Sequence, residues 1–150
     1  MKIADWIRSV LGGSEKEELP DAGDTLYGLS VADALRGHLE WVARFEDALR
    51  KGAKDIDPDQ VVHDDRCVLG RWILATKAQG RIDADDPDFR ELREAHTAFH
   101  RTASILAQAV RQDQKTESRL LLDLLRAKSR QIRIALARHL SETGGMRTGS

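Results

Sequence analysis

The chain has one cysteine, three prolines and only 5% aromatic residues, and its 24 basic and 25 acidic side chains nearly cancel. One thiol cannot close an intramolecular disulfide, so in a reducing compartment it is inert core, reactive group or metal ligand. A net charge of -1 lacks the positive excess that contact with a phosphate backbone usually needs, and no nucleic-acid partner is expected. No run reaches the roughly 18 to 20 apolar residues of a membrane span. The short apolar part of "MKIADWIRSVLGG" holds Asp5 and Arg8, unlike a secretory signal. These absences lead us to expect a cytoplasmic protein without a transmembrane segment.

Ala, Leu, Arg, Glu and Asp are abundant, and 41% of the 150 residues are apolar, a balance that suits helices with a narrow core and a charged exterior. We therefore expect an all-α fold. Residues 1–11 can form a short amphipathic helix stopped by Gly12-Gly13. The following stretch, through residue 29, is acidic and broken by Gly and Pro, and reads as a flexible linker holding that helix away from the body. The body, residues 30–142, divides into four helical segments. The first opens at the capping sequence "SVAD", the second runs through "RCVLGRWILATKAQ" after a cap from Asp64 or Asp65, the third follows Asp86-Pro87, and the last spans about 118–142. Four such helices argue for a four-helix bundle with a short extra N-terminal helix, and residues 143–150 read as a frayed tail.

Apolar positions in the first long helix, Val31, Leu35, Val42, Phe45 and Leu49, step by fours and threes, and the missing member of the series is His38. In the third helix Phe89, Leu92, His96, Phe99, Ala103, Leu106 and Val110 form a similar seam, with His100 beside His96. In the last helix Leu121, Leu124, Leu125, Ile132, Ala135 and Leu136 are expected to face inward. A single histidine on an apolar face is usually a hydrogen-bonded core residue. Three in one small core each need a polar partner, because an unpaired buried polar atom costs about 1 to 3 kcal/mol. One zinc ion satisfies all three, and Cys67, in the first turn of its helix, completes a tetrahedral set. Helix amides and the helix dipole there favour the thiolate.

His63, in a loop, and His139, near the end of the last helix, are weaker ligand candidates. Trp41 and Trp72 read as packing walls. The Glu-x-x-His repeats of a di-iron bundle and the His-Glu-x-x-His of zinc proteases are absent from the sequence. With four protein ligands no position stays open for a catalytic water, so an enzyme is not expected.

The segments "HLEW" at 38–41, "RCVLGRW" at 66–72 and "HTAFH" at 96–100 together resemble the chemoreceptor zinc-binding (CZB) domain family of bacteria. The resemblance covers roughly residues 30–140. It implies a bundle with a zinc held by His38, Cys67, His96 and His100, the set the helix faces select, in a cytoplasmic regulatory domain that is frequently dimeric. It further implies sensing of zinc or of oxidants such as hypochlorous acid, with the cysteine as switch, in pathways of chemotaxis or of diguanylate cyclases. This chain carries no long signalling coiled coil and no cyclase, so output is expected through self-association or a separate signalling protein. Two other readings fit the same residues. Zinc can serve structure alone in a dimerisation domain, or the bundle can be a histidine phosphotransfer domain with His139, beside Arg138, as phosphoacceptor.

Overall fold

A computed structural model describes residues 1–52, 54–80 and 85–141. The tail expected to fray lies outside the described residues. Six helices are described: α1 (Ile3–Leu11), α2 (Val31–Lys51), α3 (Pro58–Val61), α4 (Val68–Ala78), α5 (Pro87–Arg111) and α6 (Lys115–Leu140). A two-residue antiparallel ladder, β1 (Thr25–Leu26) with β2 (Leu29–Ser30), precedes α2. The fold is all-α, as expected, with α5 and α6 as its most extensively packed pair and α2 against α6.

Local chemistry sets the ends. Ser30 accepts a hydrogen bond from the Asp33 amide at 3.3 Å and starts α2, which closes on Gly52 in the left-handed region at φ 70°. Asp86 accepts from the Phe89 amide at 3.0 Å, with Pro87 in the first turn of α5. The inward seams of α2 and α5 meet as expected. Phe45, Phe89, Leu92, Phe99 and Leu106 are fully buried, and α6 adds Leu125, Ile132 and Leu136.

Three expectations are corrected. First, α1 is not held away from the body. It packs on α6 and buries Ile3, Trp6, Ile7 and Val10. Burial of side chains this large contributes about 1.5 to 3 kcal/mol each, far more than a nine-residue helix gains alone. The segment after it is tied down as well: Asp24 Oδ2 accepts from the Ile3 amide at 2.7 Å. Arg133, itself buried, donates to the carbonyls of Lys16 at 3.0 Å and Ser14 at 3.3 Å.

Second, the phase of α6 differs near its start. Leu122 and Leu125 face inward, Leu121 is half-buried and Leu124 is 43% exposed. The run "LLLDLL" offers several apolar registers, and the neighbouring helices select among them. Third, neither Asp64 nor Asp65 caps α4. Cys67 does, accepting from the Gly70 amide at 3.3 Å, so the cysteine stands just ahead of the helix rather than in its first turn. The loop expected before it contains the short helix α3.

Candidate metal centre

Each of three helices delivers its share by local geometry. His38 sits mid-way along α2 on the buried face, and His96 and His100 sit one turn apart on α5, so that both imidazoles leave the helix in one direction. Cys67 arrives at the head of α4. The turn before it is held close by Gly70, where a Cβ would collide with the backbone carbonyl of Asp64. The same turn is tied to α5 by Thr97, whose hydroxyl donates to Asp64 Oδ2 at 2.7 Å.

The four side chains converge, with one ligand atom of each within 4.8 Å of all the others. Cys67 Sγ lies 3.8 Å from His38 Nε2, 3.1 Å from His96 Nε2 and 3.7 Å from His100 Nε2, and the two α5 nitrogens are 3.2 Å apart. A tetrahedral zinc with ordinary Zn–S and Zn–N bonds requires S···N separations of about 3.5 Å and N···N separations of about 3.3 Å. The three S···N spacings bracket the first value, and the His96–His100 spacing lies close to the second. The donor set, borderline nitrogen and soft sulfur without a carboxylate, suits zinc rather than calcium or magnesium.

Electrostatics point the same way. The three imidazoles are 2%, 2% and 3% exposed. Burial pushes His38 down to about 3, helped by the nearby His96 and His100 and weakly opposed by the Ala34 carbonyl. Burial also holds His96 at about 3, with His100 adding to the effect, and it lowers His100 too, against its bond to the Val61 carbonyl. All three are neutral bases at physiological pH, the state that ligates.

Cys67 departs from the sequence reading. Amides of Gly70 and Leu69 do favour its thiolate, but burial outweighs them and pushes the thiol up. Without a cation the sulfur keeps its proton. A divalent ion supplies the charge that the amides alone do not.

The two spare histidines are elsewhere. His63 is exposed and, with Trp41 and Arg66, lines an open crevice that reaches Cys67 and His100. His139 is 0% exposed, packed 6.0 Å from the Trp72 ring and 5.3 Å from Phe89 by centroids. A side chain so enclosed cannot meet the phosphoaspartate of another protein. Trp41 lines the crevice, while Trp72 does more than wall the core, since its indole donates to the Tyr27 carbonyl at 2.9 Å and anchors the β1–β2 turn.

Sequence reasoning missed the supporting roles of Val61, Gly70 and Thr97, and read Asp64 only as a candidate cap.

Comparison with protein families matches residues 38–107 to the Chemoreceptor zinc-binding domain. The matched stretch contains all four converging side chains. Searches of curated proteins and of solved structures return no match. Among the described residues no helix is long and apolar enough to cross a membrane.

Proposed function

From the premise that residues 38–107 are a chemoreceptor zinc-binding domain, we propose that the protein is a cytoplasmic zinc-binding signalling module whose four ligands are His38, Cys67, His96 and His100. The observation that carries this reading is the convergence of three neutral imidazoles and one thiol within 4.8 Å. Zinc, when bound, supplies the positive charge that keeps sulfur as thiolate and locks three helices together. The histidines are the fixed part of the site. Cys67 is the variable part, because it alone of the four is only half-buried and borders an open crevice.

That asymmetry favours a redox or zinc-responsive switch over a purely structural zinc. Hypochlorous acid can transfer its oxygen to the thiolate, giving sulfenic acid and chloride, and the oxidised sulfur is a poorer ligand. Release at Cys67 frees the turn 64–67 and the head of α4, which then biases a partner protein of the chemoreceptor or diguanylate cyclase type, or self-association. The module performs no catalysis in this reading. Zinc content measured across graded oxidant, for the natural protein and for Cys67→Ser, tests it. The switch requires zinc to leave the natural protein as Cys67 is oxidised; zinc retained with fully oxidised Cys67 favours the structural role.

A further inference from the structure

The three buried imidazoles are 2% to 3% exposed, so an ion reaches them only through an opening in the fold. The crevice beside Cys67 is one such opening. It offers about 210 Å³ of open space and is lined by Cys67, His100 and the exposed His63. The loop that carries His63 touches the centre on both sides of it. Before His63, the Val61 carbonyl lies 2.9 Å from His100 Nδ1; after it, the Asp64 carbonyl lies 3.6 Å from Cys67 Sγ. We propose that His63 is a transient ligand for zinc on its way into and out of the centre. The inference rests on the zinc reading and adds to it the route by which the ion is exchanged.

Neutral imidazole is a common zinc ligand, and zinc accepts a fifth donor for the length of an exchange step. His63 can therefore take hold of the ion before Cys67 lets go, so that donors are exchanged one at a time instead of being shed together. The same wall carries Arg66, whose charge opposes a bare dication and makes a donor on the path count. A second opening reaches His96 and is lined by Asp64, Asp65, Lys77 and Arg93 among others. Its two carboxylates are matched by two cations, Asp64 is already engaged by Thr97, and no second imidazole or thiol stands on that wall beside His96. The His63 crevice is the better route. A group that acts only in transit lowers the barrier equally in both directions. It changes both rates by one factor and leaves affinity where it was.

Stopped-flow measurement of zinc uptake by the metal-free full chain, and of zinc removal by excess chromogenic chelator, tests the proposal, with equilibrium competition giving affinity and circular dichroism confirming the fold of each variant. His63→Gln keeps most of the bulk of the side chain but not its zinc-binding nitrogen. It should slow uptake and removal by the same factor, about tenfold, with affinity within about threefold. His63→Glu, which can still bind zinc, should return both rates to within about threefold of the natural protein. Zinc taken up at a rate indifferent to His63→Gln, or a His63→Glu as slow as His63→Gln, overturns the transit role and leaves the zinc reading standing. A weaker affinity with faster removal also overturns it, by making His63 a resident ligand. A natural protein that takes up no zinc overturns the zinc reading and this inference with it.

Discussion

His100 Nδ1 lies 2.9 Å from the Val61 carbonyl while its Nε2 lies 3.2 Å from Nε2 of His96. A carbonyl can only accept, so the ring proton sits on Nδ1 and the lone pair on Nε2 points into the centre. The short helix α3 thereby fixes the tautomer of a proposed ligand on α5, and Ser104, donating to the Pro58 carbonyl at 3.0 Å, makes a second tie between the same elements. The geometry around each ligand is held by neighbours as well as by the ligand itself, and the predictions divide accordingly.

Loss of a ligand should exceed loss of a support. Thr97→Val removes the bond to Asp64 that steadies the turn before Cys67, and zinc affinity should fall about 10-fold, the lower part of the range usual for outer contacts. Cys67→Ser should cost more than about 100-fold, beyond that range. Competition with a chromogenic chelator measures both. Equal losses for the two variants contradict the division.

Acid should unfold the zinc-free protein through its histidines. Burial holds His38 and His96 at about 3, below the ordinary value of 6.5, so the unfolded chain binds more protons than the folded one between those values. Their contribution is therefore fully present above about pH 6.5 and lost as pH falls toward 3. The slope reaches up to about 1.4 kcal/mol per pH unit for each of the two. Urea midpoints from pH 7.5 to 4.5 read the slope, which His38→Phe should reduce by about one proton. Zinc shifts the loss to lower pH by competing with the same protons.

The convergence of the three histidines was legible in the sequence because His38 and His96 stand at apolar positions of periodic series with His100 beside His96, and a buried imidazole has few bland explanations when three occur together. The phase of α6 was not, since "LLLDLL" satisfies more than one seam and tertiary packing chooses Leu122 over Leu124. The place of α1 was hidden for a related reason. Its apolar face was plain, but the tie from Arg133 to residues 14 and 16 spans more than a hundred positions. Nor does local charge reveal how burial overrides amide donors at Cys67, because desolvation is a property of the assembled core.

Gly70→Ala should disable the site without touching a ligand. Its added Cβ has no room beside the Asp64 carbonyl, which belongs to backbone and cannot swing away like a side chain. The turn 64–67 must move, and the amide that Gly70 donates to Cys67 Sγ moves with it. We expect a loss of stability of about 1 to 3 kcal/mol and a fall in zinc affinity of at least about 10-fold. Gly37→Ala is the control, for nothing lies within 4 Å of its Cβ and the helix gains from alanine. Thermal unfolding and zinc competition on the pair should move in opposite directions or leave the control unchanged.

Trp6→Ala should separate the docking of α1 from the metal centre. The indole is 1% exposed and anchors α1 on α6, so its truncation should cost about 3 to 5 kcal/mol or the whole docking energy of α1, whichever is smaller. Once α1 lifts, residues 12–24 lose the geometry that Asp24 and Arg133 impose, and limited proteolysis should cut there first. The proposed ligands come from α2, α5 and the head of α4, with α1 packed on α6, so zinc affinity should stay within about threefold. Cleavage in this segment with zinc retained gives the expected order of events. Zinc lost together with α1 instead makes the N-terminal helix part of the framework that holds His38 and His96 in register.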